Sequence, residues 1–221
     1  MGLSLMDLDR AVRGGIKNGS WRLLLDPFQL LDDGVDLANL ELFENSATFS
    51  QSLDLNVRGT VEIAVTSSAF GHVDRIRGGI HGPDVVLRFV DPPALWEEVL
   101  DIVDGWTSTG IDAQDILVLV PGPERGRAEV RSGDRIEPLG NLLARRNVRL
   151  STPAEMKGWE CSAVVYAGAN GLGTTEARRE AYLACTRAQV LLAVVGHESM
   201  QLDVPHAYAA AVAREAKRNL S

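Results

Sequence analysis

Long apolar runs are missing from this 221-residue chain. None approaches the roughly 18 residues that a membrane-spanning helix needs. The opening MGLSLMDLDR has neither a basic n-region nor a continuous h-region. The chain therefore reads as cytoplasmic, with no membrane partner. Cysteine is equally sparse. Cys161 falls in a probable strand and Cys185 on a face of small residues, and neither has the spacing of a metal ligand. The four histidines, His72, His81, His197 and His206, are scattered, so no structural zinc is expected. An excess of basic residues is absent too: 22 Lys and Arg stand against 30 Asp and Glu, a formal charge of −8. That balance argues against a stand-alone nucleic-acid binder. It leaves open a domain that supplies half of a binding cleft.

At 45% hydrophobic and 24% charged residues, the composition is that of an ordinary globular protein, and one domain over 1–221 is the simplest expectation. The segment LSLMDLDRAVR suggests a short helix ended by Gly14-Gly15 and Asn18-Gly19. WRLLLD at 21–26 reads as an apolar strand, and ATFSQSLDL at 47–55 as another. Thr60 or Gly59 is placed to cap a helix over 61–70. The strand VVLRFV at 85–90 is followed by a helix from Pro93 to about Thr109, with Pro93 in its first turn. DILVLVP at 115–121, VRLS at 148–151 and SAVVYAG at 162–168 read as further strands. Residues 122–138 are polar and irregular and form the weakest point of the chain; helices are expected at 139–146 and 205–219. Continuous β-branched or leucine-rich strands alternating with helices imply an α/β fold with a mostly parallel sheet covered on both faces.

The stretch Glu176 to Gly196 is the most informative. At about 100° per residue, Ala177, Ala181, Ala184, Cys185 and Ala188 share a narrow face that lets a helix lie close to a sheet. Arg187 stands at the margin of that face. It is either a cation at a helix C-terminus or a planar, permanently charged group aimed at phosphate. Upstream, Gly168 to Thr175 has the glycine spacing of a phosphate-binding loop between a strand and a helix. Thr174 occupies the place of the lysine that would reach the phosphates. A connection in which Thr174 or Thr175 caps the next helix is the favoured reading.

Four short segments occur in a particular order. LLLDPFQ, SLDLNVRGTVEI, VRLSTPAEMKGWECSAVVYAG and ARREAYLACTRAQVLL resemble motifs III, IV, V and VI of the UvrD/Rep-like superfamily I helicases. The resemblance spans Trp21 to Gly196. It implies a RecA-like three-layer sandwich, the second of two motor domains, which closes over ATP and Mg2+ held mainly by the first. By that resemblance Gln29 senses the γ-phosphate, while Arg58 and Arg187 contact it as it leaves, Arg187 in the manner of an arginine finger. Glu160 accepts a hydrogen bond from the nucleotide ribose, Lys157 and Gly158 shape its loop, and Thr152 lies on the path of single-stranded nucleic acid, taken to be DNA.

The chain departs from the family at several points. It carries no Walker A or Walker B segment ahead of Asp26, so a separate or upstream motor domain is the expected partner and the chain alone is expected to be inactive. No large accessory insertion fits between Arg58 and Ser151. Val57 replaces the motif IV tyrosine that stacks on adenine, Leu30-Leu31-Asp32-Asp33 lacks an aromatic after motif III, and Ala154 replaces the motif V histidine. Stacking is worth about 1–3 kcal/mol per base. These losses favour ATP-driven switching over unwinding, with a degenerate helicase-fold module for protein interaction or regulation as the alternative.

Overall fold

The computed structural model describes residues 10, 12–20, 45, 47, 49, 58–71, 79–126, 128, 136–138, 147–169 and 173–200. The expected strand at 21–26, the helices at 139–146 and 205–219, and the residues Gln29 and Val57 lie outside these. The chain divides into two compact units, Met1–Leu53 and Asp54–Ser221. The segment 122–138 falls inside the second.

In the first unit, a single helical turn forms at Gly15–Asn18. Arg10, ahead of the glycine pair, is helical, and the pair, expected to end a helix, also opens this turn. Gly14 adopts φ 91°, a left-handed conformation open mainly to glycine.

The second unit is built on a six-stranded sheet in the order β1-β6-β5-β2-β4-β3. The strands are β1 (Val86–Val90), β2 (Ile116–Leu119), β3 (Ile136–Pro138), β4 (Val148–Ser151), β5 (Cys161–Ala169) and β6 (Ala188–His197). All pairings are parallel. Side-chain alternation sorts each strand between two faces. Leu117, Leu119, Val164, Tyr166, Leu192 and Val194 share one apolar cluster, while Ile116, Val118, Val165, Val195 and Leu150 share another. β2 and the middle stretches of β5 and β6 are apolar because both faces are covered.

Helices α1 (Val61–Phe70) and α3 (Thr175–Cys185) pack on the first cluster and α2 (Leu95–Ser108) on the second. In α1 the Thr60 hydroxyl accepts from the Ile63 N–H at 3.4 Å, the expected cap. In α2, Leu95, Val99 and Val103 repeat every four residues and are buried, which fixes the face turned to the sheet. Pro93 stays in the turn before the helix, where the Ala94 N–H bonds to Asp91 at 3.0 Å. The small-residue face of α3 behaves as its side chains dictate: Ala181, Ala184 and Cys185 are buried against β5 and β6, Ala188 is buried as the first residue of β6, and Ala177 is half-buried. Close approach recurs at the end of α1, where a Cβ on Gly71 would stand 2.8 Å from the Tyr182 ring.

Both cysteines are free and buried. The Cys161 thiol donates to the Asp115 carbonyl at 3.0 Å, and burial pushes the Cys185 thiol well above its ordinary range. Among the described residues, no helix is long and apolar enough to cross a membrane.

Candidate functional site

The strands run parallel, so every strand start lies along one edge of the sheet. Cys161 opens β5 and Ala188 opens β6, and the two residues are register partners. Glu160 and Arg187, each one residue earlier, are therefore neighbours at this edge. The Cys161 N–H donates to the Arg187 carbonyl at 2.9 Å and seals the junction.

Arg58 reaches the same edge from the segment before α1. Its Nε lies 3.4 Å from Glu160 Oε1. Gly59 allows this approach, because a Cβ there would stand 3.0 Å from the Ala188 carbonyl oxygen. The other carboxylate oxygen, Glu160 Oε2, accepts from Gln189 Nε2 at 2.9 Å. A cation and an amide thus hold one carboxylate from two sides. The Arg58 and Glu160 side chains are 59% and 32% exposed, so solvent and solutes reach both.

Arg187 is arranged differently. Its residue is only 1% exposed. Nε donates to the Leu183 carbonyl at 3.1 Å, Nη1 to the Trp159 carbonyl at 3.3 Å and Nη2 to the Thr186 hydroxyl at 3.1 Å. The guanidinium satisfies a carbonyl at the C-terminal end of α3, where the helix dipole favours a cation. It also pins the loop entering β5.

That loop, 152–160, replaces a crossover helix with successive turns. Thr152 begins it at the C-terminal end of β4, the sheet edge opposite Glu160. The Thr152 hydroxyl accepts from the Glu155 N–H at 3.3 Å, and the Thr152 N–H donates to Glu155 Oε2 at 3.3 Å. This reciprocal pair is a capping box. It is closed further by the Ser151 hydroxyl, 2.9 Å from Glu155 Oε2, and by an Arg125–Glu155 ion pair. Desolvation opposes ionisation of Glu155, but the bonds from Ser151 and Thr152 and the Arg125 charge outweigh it and hold the carboxyl below its ordinary value of 4.5. With 7% exposure, Thr152 directs its hydroxyl into this local network. Lys157 is exposed. Gly158 has φ 84° with open space where a Cβ would be, so backbone conformation rather than crowding requires glycine. Trp159 follows, 60% exposed, on a backbone held by its N–H to the Met156 carbonyl at 3.0 Å.

The C-terminal end of β5, with Gly168, lies along the opposite edge with Thr152; residues 170–172 of the glycine-rich segment are outside the described residues. Gly168 has φ 89°, and the Thr174 hydroxyl accepts from the Ala177 N–H at 3.1 Å. Thr174 therefore acts as a helix cap. Glu180 accepts from the Gly122 N–H at 3.2 Å. Burial first, and the Glu176 charge after it, raise its carboxyl above the ordinary value despite that bond.

Of the sequence candidates, Arg58, Glu160 and Arg187 come together at one edge, with Lys157 and Gly158 in the loop that leads there. Thr152 does not join them, and Gln29 is outside the described residues. Gln189 and Trp159 were not singled out by the sequence. Their place follows from strand pairing, which leaves no local signature.

The parallel sheet with helices on both faces is consistent with a RecA-like α/β sandwich. No family model matches the chain, and no curated protein matches it significantly. Among solved structures it is similar to the C-terminal domain of a possible DNA helicase from Lactobacillus plantarum WCFS1. That match has 19% identity and a TM-score of 0.54, and covers 69% of this chain and 96% of that one. At this identity the likeness concerns the fold.

Proposed function

We propose that the chain is the second motor domain of a superfamily I helicase or helicase-like ATPase of the UvrD/Rep type. In this reading it completes an ATP site built mainly by a first motor domain and acts on single-stranded nucleic acid. The observation that carries the reading is the meeting of Arg58, Glu160 and Arg187 at one sheet edge. They arrive from three separate segments, those resembling motifs IV, V and VI. The similarity to a domain described as part of a possible DNA helicase supports the same reading.

The fit to a nucleotide is uneven across these residues. Arg58 offers an exposed guanidinium and Glu160 an exposed carboxylate, which suit a phosphate and the hydroxyls of a ribose. Arg187 has three of its five N–H donors on protein oxygens, and at 1% exposure contact with a phosphate requires the loop at Trp159 to move aside. Bound ATP with Mg2+ would bring the phosphoryl group to be transferred. Cations at this edge would then stabilise the charge that spreads over its oxygens, a contribution on the order of 10³–10⁵ in rate for an arginine finger.

The burial of Arg187 specifically favours a second reading: a helicase-fold module in which this arginine is a structural staple and the chain serves protein interaction or regulation. The test is ATP hydrolysis by this chain together with a domain carrying the Walker A lysine, with and without single-stranded DNA. Turnover that collapses in Arg187→Lys, in a protein that remains folded, supports the motor reading. Unchanged turnover sinks the finger role, and hydrolysis indifferent to nucleic acid favours the regulatory module.

A further inference from the structure

We propose that Gln189 is a positioning residue that orients Glu160 toward the ribose of a bound nucleotide, and so sets a preference for ribonucleotides over sugars lacking those hydroxyls. The inference rests on the motor-domain reading and adds a residue to its site.

Three observations carry it. First, both oxygens of Glu160 are engaged, Oε2 by Gln189 Nε2 at 2.9 Å and Oε1 by Arg58 Nε at 3.4 Å. A carboxylate only accepts, so the amide must present its N–H to it. Two partners on two oxygens fix the plane of the carboxylate. About four lone-pair sites are available to it, which leaves acceptor capacity for two sugar hydroxyls.

Second, the strand is deformed at this position. Cys161 pairs with Ala188, but Ala163 pairs with Leu191, so Gln189 and Val190 together face the single residue Ser162. Such a bulge re-aims a side chain. Here it accompanies an amide turned to Glu160 and an exposed Val190. The backbone of Gly59 rests on the same bulge, since a Cβ there would meet the Ala188 and Gln189 carbonyls at 3.0 and 3.5 Å.

Third, the two partners of Glu160 differ in charge. Arg58 is the group suited to phosphate, and a phosphate draws it away from the carboxylate. Gln189 is neutral and has no such competitor. It can hold Glu160 while Arg58 turns to the nucleotide.

A hydrogen bond between partly exposed groups contributes little to folding, so the effect of removing it belongs in ligand selectivity. The experiment measures equilibrium affinity for ATP and for 2′,3′-dideoxy-ATP in the complete motor, this chain together with the domain carrying the Walker A lysine. Wild type, Gln189→Leu and Gln189→Lys are compared, with melting temperatures recorded. Wild type is expected to prefer ATP. Gln189→Leu is expected to lose about two- to tenfold in ATP affinity, with dideoxy-ATP affinity and melting temperature unchanged. Gln189→Lys, which keeps a donor, restores the preference. A leucine variant that still prefers ATP as wild type does, or one that weakens both nucleotides equally, overturns the role of Gln189 and leaves the motor reading standing. A wild type that binds ATP without discriminating the sugar overturns both this inference and the ribose role of Glu160. A wild type that binds neither nucleotide overturns the motor reading as well.

Discussion

Arg187 Nη1 donates to the Trp159 carbonyl at 3.3 Å while Nε of the same guanidinium donates to Leu183 at 3.1 Å, so one side chain joins the end of α3 to the start of β5. Its truncation takes the Arg187 donor from the Trp159 carbonyl, leaves the Leu183 carbonyl with the Thr186 hydroxyl at 2.9 Å, and empties the space of one of the largest fully buried side chains. Arg187→Ala is expected to destabilise the chain by about 2–3 kcal/mol. The fall should show as a lower urea midpoint at unchanged slope. Arg187→Lys keeps the charge without the fork and should recover part of the loss. An alanine variant as stable as wild type would contradict the staple, and any kinetic defect could then be assigned to phosphate contact.

Glu155 and Glu180 are shifted in opposite directions, which gives substitutions of opposite sign. The carboxyl of Glu155 is held below its ordinary value of 4.5. Its contribution is therefore complete above that value and is lost as pH falls through the lower folded value. The side chain is 44% exposed, so screening keeps the effect below about 1 kcal/mol. Glu155→Gln should lower stability at pH 7, and its deficit should vanish in acid.

For Glu180 the folded value lies above 4.5. The cost of keeping it ionised is fully present above that folded value and disappears below the unfolded one. Glu180→Gln should raise stability at pH 7 and converge with wild type toward pH 4, in melting curves taken across that range. A variant that is less stable at neutral pH would show that the Gly122 contact outweighs desolvation.

Much of the second unit is legible because its signals are local. Thr60 and Thr174 cap because a hydroxyl precedes a helical run, and Leu95, Val99 and Val103 announce a face by their spacing. The runs around Leu117 and Val164 are apolar because both sheet faces are covered. The order of Arg58, Glu160 and Arg187 in the chain also points to a common edge. What is not legible depends on pairing between distant segments. Ile136–Pro138 lies in a stretch that reads as irregular, yet it pairs with β4 at the sheet edge, where proline is tolerated. The bulge at Gln189 exists only relative to β5. Whether Arg187 faces water or the Leu183 carbonyl depends on where the Trp159 loop lies, which the residues of α3 do not encode.

Gly168 combines two constraints that mutation can separate. Its φ of 89° is left-handed, and a Cβ there would collide with the Glu124 carboxylate. Gly168→Ala meets both obstacles. In the Glu124→Ala background the collision is absent and Gly168→Ala carries only the backbone term of about 1–2 kcal/mol. Denaturant titrations should therefore show that Gly168→Ala costs less in that background than in wild type. Equal costs would mean that the carboxylate moves aside freely.

Thr174 stands where a phosphate-binding loop would carry its lysine, and its hydroxyl accepts from the Ala177 N–H at 3.1 Å. If capping is its whole role, Thr174→Ala costs about 1 kcal/mol of stability and Thr174→Ser almost nothing. Neither should alter nucleotide affinity, because the edge that gathers Arg58 and Glu160 lies at the strand starts, whereas Thr174 follows the C-terminal end of β5. Thr174→Lys is the sharper comparison. It restores the missing cation but removes the cap, so it should lose the same stability as alanine and gain no affinity for ATP in equilibrium binding. A lysine variant that binds ATP measurably tighter than wild type would make the Gly168–Thr175 connection a dormant phosphate loop, and would move the nucleotide to the opposite edge of the sheet.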